Sequence, residues 1–135
     1  MTASYNDASI RKMYFILMSK SEKEMKLIIA GGRDYQLTKS DLEHLDQIDE
    51  VKEVVTGGAK DADQGGEAWA HSRGIPIKRF PPEWNKYARG ARIVRNREMV
   101  AYADAAVVFT GGRGTDPLFS LATKAGLIVY DWRNK

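Results

Sequence analysis

Residues 105–117 read AAVVFTGGRGTDP. Five consecutive apolar residues with no charge make a strand buried on both faces, after which Thr110-Gly111-Gly112 turns the chain. Thr115 or Asp116 supplies an N-cap, and Pro117 suits the first turn of a helix that Gly126 closes. Leu127 to Tyr130 is then the next strand. One strand, one glycine turn and one helix form the unit from which the rest of the chain can be read.

The unit recurs upstream. Leu27-Ile28-Ile29-Ala30 runs into Gly31-Gly32, and Val51 to Thr56 (VKEVVT) runs into Gly57-Gly58. Thr38 with Asp41 resembles a capping box, ahead of Leu42, Leu45 and Ile48 at helical spacing. Ala62 to Arg73 reads as a helix closed by Gly74, and Ile75 to Phe80 as a third strand. Pro81-Pro82 opens a loop that carries Trp84 and Tyr87, and Ile93 to Ala103 reads as a further helix. Five strands alternating with helices predict an α/β, Rossmann-like three-layer sandwich around a five-stranded parallel sheet. Right-handed crossovers make its strand order 3-2-1-4-5. In that order the chain reverses its winding between the first and fourth strands, and ligands bind beyond the carboxyl ends of the strands at such a point. All three Gly-Gly pairs are therefore expected on the ligand edge, around one pocket.

Composition narrows the chemistry. The 135 residues contain no cysteine and two histidines, which excludes disulfides and thiolate metal sites and leaves little for zinc. No apolar run approaches the roughly 18–20 residues of a membrane span, so the expectation is a cytoplasmic protein with no membrane partner. Residues 1–24 read as an N-terminal extension without chemistry that contributes little to the core, and 25–135 as the domain. The net charge is +3, but Lys78 to Arg97 holds seven bases against one acid, Glu83, so the remainder carries −3. Positive charge this local suggests an anion site.

Each candidate residue has a structural reading beside the functional one. The Gly111–Thr115 turn lets backbone N–H groups approach an anion, with Thr115 as a hydroxyl donor. Arg33 can meet a phosphate or pair with Asp34 or Asp63. Asp61 and Asp63, after Gly57 and Gly58, are either ligand contacts or helix caps. Gly65 and Gly66 cost about 1 kcal/mol each against alanine inside a helix, which close backbone packing would explain. Arg95 and Arg97 lie two apart, so one of them faces the site, where Asn96 can read a ribose or base edge.

Four stretches together (KLIIAGGRDY, VVTGGAKDADQGGEAWA, RNREMVAYAD and TGGRGTD) resemble the SLOG superfamily of Rossmann-like proteins, most of all its small stand-alone YspA-like branch. The resemblance runs from about Lys26 to Trp132. The superfamily includes cytokinin-activating phosphoribohydrolases, the DNA-uptake protein DprA, molybdenum-cofactor carriers and sensors of nucleotide-derived signals. The likeness implies a phosphate cradle of Gly111, Gly112, Gly114 and Thr115, with Arg95 nearby. Three departures bear on function. Leu118 stands where the hydrolases carry their catalytic glutamate, Asp61 stands where glycine is usual, and the last loop is short.

The expectation is thus a binding or sensing module for a nucleotide or ADP-ribose-like ligand. Phosphate would sit on the Gly111–Thr115 turn with Arg95, and ribose near Gly31, Gly32, Arg33 and Asp34. Asp34, Asp61 or Asp63 would touch ribose hydroxyls or a magnesium ion; no resident metal and no catalytic residue is assigned. The alternatives are a nucleotide-cleaving enzyme using Asp116 or Asp34, and a single-stranded nucleic-acid binder by analogy with DprA and from the basic segment. The ligand's identity and a homo-oligomeric state stay open.

Overall fold

The computed structural model describes residues 25–32, 35–48, 50–58, 62–111 and 115–133. The reading of residues 1–24 as an extension lies outside them. Strands β1 (Met25–Ala30), β2 (Val51–Thr56), β3 (Ile77–Arg79), β4 (Ala105–Phe109) and β5 (Ile128–Trp132) form one parallel sheet ordered β3-β2-β1-β4-β5. This is the expected topology, with β1 paired to β2 on one side and to β4 on the other. Helices α1 (Lys39–Asp46), α2 (Ala62–Ser72), α4 (Ala91–Tyr102) and α5 (Thr115–Ala125) make the crossovers. A short helix α3 (Trp84–Tyr87) and a 3-10 turn (Ala88–Gly90) stand where Pro81-Pro82 predicts only a loop. Four residues carry too little periodicity to announce a helix.

The β4 residues are all buried, as an uninterrupted apolar run demands in a strand covered on both faces. The sheet's side chains alternate between two cores. Ile28, Val55, Ala106 and Val108 pack with Met99, Val100, Leu118 and Ala122 of α4 and α5. Leu27, Ile29, Val54, Val107 and Phe109 face α1 and α2 through Leu45, Trp69 and Ala70. The two glycines inside α2 serve this second core. A Cβ on Gly66 would lie 2.7 Å from Ile29 Cγ2, and one on Gly65 would lie 2.8 Å from Leu37 Cγ. The helix settles closer to β1 than alanine would permit, which offsets the helical cost of glycine.

Helix ends follow the local chemistry. The Thr38 side chain accepts from the Asp41 N–H, and the Asp41 carboxylate accepts from the Thr38 N–H, completing the capping box. Gly74 and Gly126 take positive φ, +68° and +83°, after α2 and α5. Among the described residues no helix is long and apolar enough to cross a membrane.

Candidate functional site

Because all five strands are parallel, the turns after β1, β2 and β4 share the carboxyl edge of the sheet. Gly31-Gly32, Gly57-Gly58 and Gly111 stand on that edge, and the β1/β4 pair marks the winding reversal. Arg33, Asp34, Asp61, Gly112 and Gly114 lie outside the described residues, and Asp63 is placed only as far as the first turn of α2.

At the reversal the backbones are in direct contact. The Gly32 N–H donates to the Thr110 carbonyl at 2.8 Å. A Cβ built on Gly32 would lie 2.8 Å from the Gly111 Cα, and one on Gly111 would lie 2.1 Å from the Thr115 Oγ1. Thr115 itself is buried. These two turns therefore interlock, and the Thr115 hydroxyl rests against Gly111 at the start of α5.

The second turn is built differently. Arg95, in the second turn of α4, reaches across to Gly57 and donates from Nη1 to its carbonyl at 3.1 Å. A Cβ on Gly57 would fall 2.0 Å from that Nη1. Asn96 is buried, and its Oδ1 accepts from Arg95 Nε at 2.9 Å, so it steadies the guanidinium from inside the fold. Arg97 is exposed. One arginine of the pair thus reaches the edge, as the helical spacing requires. It lies over the β2 turn, two strand spacings or about 10 Å from the β4 turn.

Beneath Gly58 runs a polar chain that the sequence reading did not single out. The Gly58 N–H donates to Thr56 Oγ1, and the Thr56 hydroxyl donates to Glu67 Oε2 at 2.6 Å. Arg79 clamps the same carboxylate from β3, its Nη2 at 2.7 Å from Oε1. Burial pushes the Glu67 carboxyl up, but the hydrogen bonds from Arg79 and Thr56 outweigh it and hold the group below its ordinary value. The available signal was a lone acid within the small-residue run Gly65–Ala68, one crossover from a basic strand.

The β1 turn is followed by Tyr35, whose ring stacks on Phe109 with centroids 5.8 Å apart. Its hydroxyl donates to Asp41 Oδ2 at 2.6 Å, and burial followed by this carboxylate pushes the phenol up to about 12. A separate groove of about 460 Å³ lies between α1 and α2, lined by Leu37, Leu42, Ala68 and Trp69 among others. None of the three glycine turns lines it. Leu118 is buried in the core, and Asp116 is exposed and paired with Arg133 at 3.0 Å.

Residues 25–87 match the model of the YspA, cpYpsA-related SLOG family. Through this stretch, 63 of the 135 residues, the chain is similar to the SLOG superfamily, in its YspA-like branch. The matched residues carry the β1 and β2 glycine turns and end within α3, so Arg95 and the β4 turn lie beyond them. No curated protein and no solved structure matches the chain significantly.

Proposed function

We propose that this SLOG-like domain binds a phosphorylated, nucleotide-derived small molecule, of the nucleotide or ADP-ribose kind, along the carboxyl edge of its sheet. The observation that carries the reading is the guanidinium of Arg95, brought from α4 onto the Gly57 turn beside the β1/β4 reversal. A guanidinium so placed brings a fixed positive charge and a planar fork suited to phosphate onto the edge. About 10 Å along the edge, the first-turn amides of α5 and the helix dipole favour a second negative group of the same ligand. Ribose then lies toward Gly31 and Gly32, with Arg33 and Asp34 following in sequence.

The reading is of binding without turnover. Leu118 occupies the position of the hydrolases' glutamate, cannot carry a proton, and is committed to the core. Asp116 is held by Arg133. Isothermal titration calorimetry with nucleoside mono- and diphosphates and ADP-ribose, against the unphosphorylated nucleosides, tests the proposal. Heat with the phosphorylated set alone supports it, and no binding at millimolar concentration refutes it. Release of free base during incubation with the same compounds would replace binding by catalysis.

A further inference from the structure

We propose that the outer face of the segment from Trp84 to Arg97 binds single-stranded nucleic acid, as a surface distinct from the glycine edge. Among the described residues the two exposed large hydrophobics are Trp84 and Ile93, 50% and 51% accessible, and both stand on this segment. The Arg92 guanidinium lies over the Trp84 ring, 5.5 Å from its centroid. Lys86, Arg89, Arg92 and Arg97 are exposed around them. Among the described residues no salt bridge engages Arg89, Arg92 or Arg97.

A face kept basic only for solubility has no use for an exposed indole. Exposed aromatic rings interleaved with cations are what a flexible, unpaired strand requires: stacking for bases, charge for phosphates. The choice of cation points the same way. Trp84 to Arg97 has four arginines and one lysine, whereas the rest of the chain has six arginines and ten lysines. Arginine binds phosphate with a planar fork and stacks on bases, while a lysine suffices as a point charge. A second copy of this chain is a poor occupant, because a twofold contact would set these four cations against four.

The test is fluorescence anisotropy of the full chain with fluorescein-labelled oligo(dT) and oligo(rU) of twenty nucleotides. If the four exposed cations each neutralise one phosphate, log affinity falls with log salt at a slope of about −2.8, roughly 50-fold between 50 and 200 mM. Arg89→Ala with Arg92→Ala should halve that slope. Trp84→Ala should weaken binding by about 5- to 150-fold with the slope unchanged. Arg95→Ala, which touches the glycine edge, should leave oligonucleotide binding unchanged, as should competition by millimolar ADP. All these positions except Arg95 are exposed, and circular dichroism of each variant checks that it folds. Absence of binding at 50 mM salt overturns the proposal, as does binding that ignores the Trp84 and arginine variants. Equal retention on phosphatidylserine vesicles, lost in the same variants, would make the face a membrane surface and overturn it too. So would sedimentation showing a dimer that those variants dissociate.

Discussion

The three glycine turns on this sheet edge use the missing side chain for two opposite ends. At the β1/β4 reversal, Gly32 and Gly111 let main chain approach main chain, and a Cβ on Gly32 would meet Gly111 Cα at 2.8 Å. At the end of β2, Gly57 leaves space that the tip of Arg95 fills, a long side chain with many rotamers. Backbone held by strand pairing on both sides cannot yield by an ångström, whereas a guanidinium can swing away. The first pair of glycines is therefore a requirement of the fold, and Gly57 is a requirement of where Arg95 points. Sequence alone makes the two look alike.

The largest effect separating them should come from Gly32→Ala. Its Cβ collides with backbone, so relief requires shifting β4 or the turn after it. Overpacking of this kind costs about 1–3 kcal/mol, and the upper half of that range is expected here. Thermal unfolding should show a fall of about 8–12 °C for a domain of this size. Gly111→Ala should behave similarly, since its Cβ would meet Thr115 and the Gly32 nitrogen. A loss below about 0.5 kcal/mol for both, well short of the overpacking range, would show that the junction has room to relax and would dissolve the distinction.

Next is Arg95→Ala. A charged hydrogen bond to phosphate is worth about 1.5–3 kcal/mol, so affinity for a phosphorylated ligand should fall about 10- to 150-fold. Binding of the unphosphorylated nucleoside should change little, since the guanidinium addresses the phosphate alone. Equal losses for both ligands in calorimetry would assign Arg95 to supporting the β2 turn, making that turn as structural as the first.

The sheet order was legible because β1, β2 and β4 announce themselves twice, by apolar residues and by the glycine pair that follows. Val51–Thr56 and Ala105–Phe109 are read from sequence with the bounds they have in the structure. Contacts between distant elements were less accessible. That one arginine of the pair faces the sheet edge follows from Arg95 and Arg97 lying two residues apart on a helix. Which glycine turn it reaches depends on how α4 crosses the sheet, and the Arg95–Gly57 bond spans 38 residues. Asn96 is a donor and acceptor in any sequence reading; its burial, which turns it toward Arg95 Nε, is a property of packing. The Thr56–Glu67–Arg79 chain escaped for the same reason, since it joins two strands through a helix.

That chain supplies a smaller effect, on the β2 turn alone. Glu67 is held below its ordinary value of 4.5 in the folded protein. A depressed carboxyl contributes stability that is present above the unfolded value and is lost as pH falls through the folded one. Acid should therefore erode this contribution from about pH 4.5 downward. Glu67→Gln should remove it at neutral pH, at about 1 kcal/mol because Arg79 is largely exposed. Chemical denaturation at pH 7 and pH 3 measures the difference. A variant whose deficit is as large at pH 3 as at pH 7 would mean that Glu67 acts through shape rather than charge.

The smallest effect on stability belongs to Gly57→Ala, and it decides the comparison. Its Cβ would occupy the place of Arg95 Nη1 and abolish the bond to the Gly57 carbonyl. Losing a partly solvated hydrogen bond costs about 0.5–1.5 kcal/mol, less where water replaces the donor. Against this, alanine narrows the unfolded ensemble and returns about 0.4–1 kcal/mol where φ is compatible. Among the described residues the positive-φ glycines are Gly58, Gly74 and Gly126, so Gly57 has a backbone that alanine accepts. The two terms nearly cancel, and denaturant midpoints should agree with the parent to about 0.5 kcal/mol. Ligand affinity, by contrast, should fall as far as in Arg95→Ala, because the guanidinium is present but displaced. The double variant should then bind no more weakly than either single one, since both remove the same interaction. Additive losses would show that Gly57 touches the ligand itself, and that the β2 turn offers its backbone to the phosphate.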